Sequence, residues 1–283
     1  MQVITTVKGL RGRLDKEKDT GRSVGFVPTM GSLHEGHLSL ISRAAKESEL
    51  TVVSIFVNPT QFNDQNDYVR YPREPDKDLK KLRTILRKDD IVFQPSVDTI
   101  YPKPDHRVFD MGRLDKTMEG EYRPGHFNGV VQVVTRLFDL VQPRKAYFGE
   151  KDFQQLTIIK HMTHQLGYPV EVIACPIVRE KDGLAMSSRN MLLTSDDRKL
   201  APMISGILFQ ALRRAERAGV KEVKEWVTGQ FCGLPAFRLE YFEIVDDRTL
   251  TPVKRWDEPG GKIGCIAVWL GNVRLIDNIR FNL

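Results

Sequence analysis

Residues 26–41 read FVPTMGSLHEGHLSLI, a stretch that passes from a buried strand through a glycine-bearing turn into an apolar helix. Helical spacing from residue 37 onward places Leu38 and Ile41 on one face of that helix. Between strand and helix lies HEGH (34–37), which has four open interpretations: metal ligands, a general acid–base pair, a phosphate-binding turn, or ordinary polar loop residues. The correct interpretation of this segment determines most of what can be inferred about the function of the protein.

The same alternation of strand and helix continues along the chain. Strand-like apolar runs lie at 23–29, 51–59, 91–95, 145–149 and 170–176, and helical patterns lie at 37–48, 78–88, 128–142 and 152–167. Because TVVSIFVNP (51–59) is apolar at nearly every position, it suits a strand covered on both faces of a parallel sheet. The order predicts an α/β fold, with a Rossmann-like, doubly wound parallel sheet over residues 1–177.

After residue 177 the pattern changes. A loop of charged and small residues, REKDGLAMSSRN (179–190), precedes a helical stretch at 195–219, with Pro202 tolerated in its first turns, and a second helix at 221–231. Two strand-like runs, at 239–246 and 264–271, close the chain. These elements predict a smaller α+β domain over residues 178–283.

Composition restricts the class of protein. The chain has 283 residues, 41% hydrophobic and 28% charged, which fits one large or two ordinary soluble domains, and no apolar run approaches the length of a membrane span. The start, MQVITTVKGLRGRL, lacks an apolar core followed by a cleavage site, so we expect the mature N-terminus of a cytoplasmic protein. Three widely spaced cysteines predict neither a disulfide framework nor a zinc site.

The net charge of +6 gives little information about partners, because basic residues are mixed with acidic ones. DKDLKKLRTILRKDD (76–90) is most simply a solvated helix face. An RNA-binding module would need clustered Lys and Arg with exposed aromatic residues. The sequence has no such cluster, so neither nucleic acid nor a membrane is an expected partner.

Context narrows the interpretations of HEGH. Its spacing differs from H-E-x-x-H and no Cys/His cluster completes a site, which disfavours a metal. The segment opens a helix directly after a strand, where parallel-sheet proteins bind ligands and where helix N–H groups favour an anion. Gly31 and Gly36 let the backbone approach such a ligand. For either His alone, a helix cap or a surface position remains the alternative.

These residues carry a resemblance to known families. Strand–turn–H-x-G-H–helix is similar to the signature of the nucleotidyltransferase superfamily that includes class I aminoacyl-tRNA synthetases, and MSSRN (186–190) stands where that superfamily has a KMSKS-like loop, with Arg189 in place of the usual lysines. The whole chain resembles the pantoate–β-alanine ligase family through PTMGSLHEGH (28–37), FVNPTQF (56–62), YPR (71–73), RPGHFNGVV (123–131), FGEKDFQQL (148–156), DGLAMSSRN (182–190) and RLIDN (274–278).

The resemblance implies a reaction and its partners. In that family the pantoate carboxylate attacks the α-phosphorus of ATP and pyrophosphate leaves; the amine of β-alanine then attacks the pantoyl adenylate, which gives pantothenate and AMP. ATP is thus implied as a substrate, with Mg²⁺ held mainly by phosphates and water, and a homodimer is implied. Another adenylyl-transferring enzyme of the superfamily is the alternative, although it should lack NPTQF and GEKDFQQL.

The resemblance also implies site residues. His37 as proton donor, His34 and Lys151 are the implied catalytic residues, and Gln61 is implied for both pantoate and β-alanine. The implied ATP-binding residues are Met30, Gly31, Ser32, Leu33, His34, Glu35, Gly36, His37, Gly149, Glu150, Lys151, Asp152, Val178 through its backbone, and a lid of Met186, Ser187, Ser188 and Arg189. No side chain is assigned to a metal.

Some of these positions have simpler alternatives. Without the resemblance, Gln61 is an ordinary polar loop residue, Asp152 a helix cap, and the serine-rich loop a linker. Gln155 is implied as a second pantoate residue; since Gln154 points about 100° round the same helix, only one of the two is expected to face a ligand. Other expectations are that Asn58 makes a secondary ligand contact and that His126 is structural.

Overall fold

The structure, a computed structural model, describes residues 1–19 and 21–282. Its strands are Gln2–Ile4 (β1), Val24–Thr29 (β2), Leu50–Ile55 (β3), Ile91–Phe93 (β4), Lys145–Gly149 (β5), Glu171–Cys175 (β6), Phe237–Asp246 (β7), Lys262–Leu270 (β8) and Val273–Phe281 (β9). Its helices are Val7–Asp19 (α1), Glu35–Glu47 (α2), Gln65–Arg70 (α3), Pro75–Leu82 (α4), Val97–Ile100 (α5), Glu119–Tyr122 (α6), His126–Val141 (α7), Phe153–Gln165 (α8), Ser195–Leu200 (α9), Met203–Ala215 (α10) and Val220–Cys232 (α11).

The chain forms two compact units. The first contains residues 1–111, 123–150 and 158–176, and the second contains residues 112–122, 151–157 and the chain from 177 onward. The last division falls between residues 176 and 177, next to the predicted boundary. The segments 112–122 and 151–157 lie outside that simple two-part scheme, because each belongs to the second unit but comes from the N-terminal part of the chain.

The described part of the first unit is built on a six-stranded parallel sheet in the order β1-β4-β3-β2-β5-β6. Neighbouring residues of β2 point to opposite faces. Val27 packs in a cluster with Ile41 of α2 and Leu82 of α4, whereas the ring of Phe26 meets that of Phe138 of α7 edge-on at 6.4 Å. Apolar helices therefore cover both faces, and the predicted doubly wound sheet is confirmed.

The sheet order brings three loops to one edge. β2 lies between β3 and β5, and all three run in the same direction. The residues that follow their carboxyl ends are Met30, Phe56 and Glu150 respectively. The edge beyond the carboxyl ends of neighbouring parallel strands is where open α/β sheets bind ligands.

The described part of the second unit has an antiparallel sheet in the order β7-β8-β9, against which α10 and α11 pack. Its core joins Leu208, Val223, Ile244 and Ile266 among others. The predicted α+β character is confirmed, but β9 was not predicted as a strand. Its run is interrupted by charged and polar residues, and Asp277 and Asn278 are buried there.

The stretch 195–219 is two helices rather than one. Helix α9 ends at Leu200 and α10 begins at Met203. Pro202 has no N–H to continue the hydrogen bonds of the preceding turn. It therefore serves as the N-cap of α10 instead of lying inside a single helix.

A buried ion cluster ties α6 to the sheet of the second unit. The guanidinium of Arg274 in β9 donates to both carboxylate oxygens of Glu119, at 2.8 and 2.6 Å, and to Glu240 of β7 at 2.8 Å. The hydroxyl of Tyr241 donates to Glu119 at 2.8 Å. Burial alone would lower the pKa of Arg274, but its bonds to the two carboxylates raise it. Arg274 thus stays charged.

Neither β1 nor α1 was predicted from the sequence. Helix α1 has only a weak pattern, because it buries just a narrow apolar face that includes Leu10 and Leu14. Strand β1 pairs with β4 at the edge of the first sheet and has just three residues.

Among the described residues, none of the helices combines the length and the apolar character that a membrane crossing requires.

Candidate active site

The loop between β2 and α2 has an unusual backbone. Gly31 and Ser32 both lie in the left-handed region, with φ of +81° and +50°. The hydroxyl of Thr29 anchors the loop, since it donates to the Ser54 carbonyl at 2.8 Å and accepts from the Gly31 N–H at 3.2 Å. Two successive left-handed residues turn the chain sharply between the end of β2 and the start of α2.

Asp78 of α4 holds this loop from the side. Its two carboxylate oxygens accept the N–H groups of Ser32 at 2.8 Å and Leu33 at 2.7 Å. Asp78 is 1% exposed, so the interpretation of residues 76–90 as a solvated helix face is wrong at this position. The ammonium of Lys81, on the same helix, donates to the Leu33 carbonyl. The polar side of α4 is thus partly a support for the loop.

The charge on Asp78 has a defined pH dependence. Burial raises the pKa of this carboxyl above its ordinary value, and the bonds from the two amides oppose the rise. Ionised Asp78 therefore costs the fold some stability at neutral pH, a cost that disappears as the pH falls through the raised pKa. Only the ionised form accepts fully from both N–H groups, so the loop is best held at neutral pH.

His34 and His37 stand together at the start of α2. Their ring centroids are 4.1 Å apart, and Nδ1 of His37 accepts from the main-chain N–H of His34 at 3.4 Å. Since an N–H donates to Nδ1, that atom carries no proton, and neutral His37 has its proton on Nε2. His37 is then arranged to donate from Nε2.

Gln61 lies beside the same loop. It ends the 3₁₀ turn Pro59–Gln61 that follows β3 and is 7% exposed. Its Oε1 accepts from Asn58 at 3.2 Å, and its Nε2 donates to the sulfur of Met30 at 3.0 Å. The structure therefore brings together two predicted site residues, Gln61 and Met30, that are separated by 31 positions in the chain.

Asn58 fixes which way the Gln61 amide points. The Asn58 Nδ2 also donates to the main-chain carbonyl of Gly129 at 3.0 Å, and its Oδ1 accepts from the hydroxyl of Tyr101 at 3.0 Å. A carbonyl only accepts, so the Asn58 NH₂ must face Gly129 and Gln61. Gln61 then turns its oxygen to Asn58 and its NH₂ toward Met30. Asn58, 1% exposed, supports Gln61 rather than presenting its own amide to a ligand.

The GEKD segment follows β5. Gly149 and Glu150 belong to the first unit, while Lys151 and Asp152 belong to the second. The main-chain carbonyl of Lys151 accepts from Nδ2 of Asn278 at 3.0 Å, and its ammonium lies 3.8 Å from Asp152. The backbone of the predicted catalytic lysine is thus attached to β9.

A hairpin-like loop carries the predicted lid residues of the second unit. Arg179 and Ala185 form an antiparallel bridge, and Met186 donates its N–H to the Val178 carbonyl at 3.0 Å. The Arg179 guanidinium donates to both oxygens of Asp277, at 2.6 and 3.0 Å. Ser187 then caps the 3₁₀ turn Ser188–Leu192 by accepting the Arg189 N–H at 3.3 Å. The segment that carries the predicted lid residues therefore has a fixed local structure.

The two neighbouring glutamines of α8 differ in environment. Gln154 is 4% exposed; its NH₂ donates to the carbonyls of Leu114 at 2.7 Å and Thr117 at 2.8 Å, and its oxygen accepts from the Glu119 N–H at 3.0 Å. Gln155 is half-buried. Gln154 is therefore occupied within the protein, which leaves Gln155 as the candidate for a ligand.

Comparison with known proteins identifies the family. The family model described as pantoate-beta-alanine ligase matches residues 2–280. The chain belongs to the pantoate–β-alanine ligase family. Curated pantothenate synthetases from Bacteroides fragilis and Porphyromonas gingivalis are 51% and 49% identical to it over 281 residues, which cover 99% of this chain and 99% of each relative.

Solved structures of pantoate–β-alanine ligases agree with this. Pantothenate synthetase from Thermus thermophilus superposes with a TM-score of 0.92 at 43% identity, over 99% of both chains. The ligase from Francisella tularensis, whose structure is a complex with beta-gamma ATP and β-alanine, superposes with a TM-score of 0.82 at 33% identity, over 100% of this chain and 98% of that one. As a member of the family, this chain is a ligase that joins pantoate to β-alanine.

Two supporting residues of this pantoate–β-alanine ligase were missed by sequence reasoning. Asp78 lies inside a strongly charged helix, and Asn278 lies in the RLIDN block, which contributes to the resemblance without an assigned role. For Asp78 one signal existed: it is four residues before Leu82, and both side chains are buried on the same face of α4. For Asn278 no local pattern reveals that its partner is 127 residues away.

Proposed function

We propose that the chain forms pantothenate from pantoate, β-alanine and ATP through a pantoyl adenylate, with ATP at the loop 30–37 and pantoate at Gln61. The observation that carries this proposal is the oriented Gln61 amide next to Met30, the first residue of that loop. A phosphate-binding turn and a donor for a small polar acid then lie at the same edge of one sheet, as attack of a carboxylate on a phosphorus atom requires.

The phosphates of ATP have suitable partners at α2. The first-turn N–H groups and the helix dipole favour an anion there, and His37 adds a donor at Nε2. The N–H groups of Ser32 and Leu33 already donate to Asp78. In the proposed site these two residues therefore shape the loop, while residues 34–37 contact phosphate.

Pantoate suits Gln61 for a chemical reason. The Gln61 NH₂ donates to a thioether sulfur, which is a weak acceptor. A carboxylate or hydroxyl oxygen of pantoate is a much better acceptor, so pantoate binding replaces a weak bond with a strong one. The same amide is proposed to contact β-alanine when its amine attacks the adenylate.

Residues of the second unit complete the assignment. Lys151 is proposed as the catalytic cation for phosphate oxygens, Gln155 as the second pantoate ligand, and Val178 as a main-chain contact of the adenine. Met186, Ser187, Ser188 and Arg189 are proposed as a lid that keeps water from the acyl adenylate. Gly149, Glu150 and Asp152 complete the ATP-binding segment after β5.

Magnesium is proposed to accompany ATP. The described residues include no group of three or more His, Cys, Asp or Glu side chains that could hold a metal ion. Phosphates and water are proposed to supply most of the ligands of Mg²⁺, which would neutralise phosphate charge when bound. The further proposals are a cytoplasmic location and a homodimer, and sedimentation equilibrium measures the latter directly.

The proposed reaction predicts a strict acid requirement. Pyrophosphate release from ATP should need pantoate, should not need β-alanine in the first turnover, and should not occur with lactate or glycerate in its place. Coupled detection of pyrophosphate, with mass spectrometry of the adenylate, measures both points. Equal release with the other acids would favour a different adenylyl-transferring activity and would contradict the proposal.

The support of the loop by Asp78 gives a second prediction. Asp78→Asn places an NH₂ group against one of the two N–H donors, so one bond is lost and two donors face each other. We expect the ATP KM to rise about tenfold. Asp76→Asn removes the same charge from an exposed position of the same helix and should leave the ATP KM within about twofold. Equal ATP KM values in the two variants would show that the contacts of Asp78 with the loop are not needed for ATP binding.

A further inference from the structure

The first turn of α7 lies directly against the Gln61 turn. Nδ1 of His126, the first residue of α7, is 2.7 Å from the main-chain oxygen of Gln61. One turn later, Gly129 has no room for a side chain, since a Cβ there would lie 2.2 Å from the Thr60 carbonyl oxygen. Positions 126 and 129 are on the same helix face. The first turn of α7 therefore packs directly against the 3₁₀ turn that carries Gln61.

The partners of His126 define its tautomer. A main-chain carbonyl only accepts, so Nδ1 of His126 must carry a proton and donate to Gln61. On the other side of the ring, the guanidinium of Arg123 lies 3.3 Å from Nε2, and a guanidinium only donates. Nε2 must therefore be an acceptor. His126 is neutral with its proton on Nδ1 when both contacts are made.

We infer that His126 is a positioning residue for acid-substrate recognition: its Nδ1–H holds the main chain of Gln61 so that the side-chain amide faces the substrate. This inference rests on the proposed function of Gln61. Asn58 fixes the amide end of the residue, and His126 fixes the backbone end. Arg123 in turn fixes the tautomer that His126 needs to donate.

The energetic basis is the burial of this contact. His126 and Gln61 are each 7% exposed, so a Gln61 carbonyl without its donor has poor access to water. The turn would shift to find another partner, and the Gln61 amide would shift with it. A misplaced donor weakens the binding of the acid while leaving the phosphate-binding loop, held separately by Asp78, in place.

Three variants of His126 separate this role from general packing. His126→Asn keeps an NH₂ group at the position of Nδ1 and can still donate to Gln61. His126→Gln keeps an acceptor at the position of Nε2, toward Arg123, but loses the donor. His126→Leu loses both. We expect the pantoate KM to rise about tenfold in the Gln and Leu variants and to stay within about threefold in the Asn variant.

The measurements are steady-state pantoate and ATP KM values and kcat at saturating pantoate, with thermal unfolding as a check of folding. The ATP KM and kcat should change little in all three variants. An unchanged pantoate KM in His126→Leu, or an Asn variant no better than the Gln variant, would overturn the inference. Gln61→Ala is measured alongside: if it leaves the pantoate KM unchanged, the assignment of Gln61 fails, which is a different outcome from a failure at His126 alone.

Discussion

Replacing His37 with alanine is expected to lower the rate of pantoyl adenylate formation by about 10²–10³-fold while changing the pantoate KM little. Its Nδ1 accepts from the backbone of His34, which directs the ring proton to Nε2. In the proposed site, a donor fixed in this way would meet the charge that develops on the phosphate oxygens as pyrophosphate leaves. Its removal thus affects the transition state more than the bound substrates.

Single-turnover quench experiments with labelled ATP measure this step directly. Gln61→Ala is the contrasting variant, because it removes the proposed pantoate donor and should act mainly on the pantoate KM. His37→Gln places an NH₂ group near the position of Nε2 and should recover part of the lost rate. Near-normal adenylate formation in His37→Ala would remove His37 from the catalytic residues.

Gly129→Ala is expected to destabilise the fold by about 1–3 kcal/mol and to raise the pantoate KM. The added Cβ would lie 2.2 Å from the Thr60 oxygen and 2.7 Å from the Gln61 nitrogen, both of them main-chain atoms. Backbone cannot move aside as the end of a side chain can, so α7 and the Gln61 turn must separate. Both stability and substrate recognition should therefore suffer.

The matched control is Gly229→Ala, inside α11. A Cβ at Gly229 meets nothing within 4 Å, so alanine there should stabilise the helix by about 0.5–1 kcal/mol. Denaturant unfolding of both variants, together with the pantoate KM, makes the comparison. A Gly129→Ala variant with the stability and the KM of the unsubstituted protein would show that the close approach of α7 is not needed.

The first unit from β2 onward could be predicted from the sequence because its strands are short, apolar and regularly separated by amphipathic helices. TVVSIFVNP marks a strand buried on both faces, and its partner strands follow the same rule. Strand β9 was not predicted because it contains buried charged residues. These residues are stabilised only by partners far away in the sequence, as Arg274 is by Glu119, 155 positions apart. Local hydrophobicity has no information about such pairs.

The candidate site, like the fold, was only partly predictable from the sequence. Helical geometry predicted that only one of Gln154 and Gln155 would face a ligand. The Gln154 amide is bonded to residues 114–119, and the contact of Gln155 with a ligand stays a prediction. The residues that hold the site could not be found in this way. Asp78 and Asn278 bond to main-chain groups of residues far away in the sequence, and a main-chain partner has no residue type that a sequence pattern could reveal. Asn58 was expected to contact a ligand, but its amide donates to the Gln61 side chain.

The buried pairing of Arg274 with Glu119 sets limits on how the chain can be divided for expression. A fragment begun at residue 177 would keep all three strands of the second sheet, but it would lose Glu119, Gln154 and the Lys151 carbonyl. Arg274 would retain Glu240 as its carboxylate partner in that cluster, and the Tyr241 hydroxyl would lose its acceptor. A useful fragment of this unit must therefore carry residues 112–122 and 151–157, for example as a circularly permuted or linked chain.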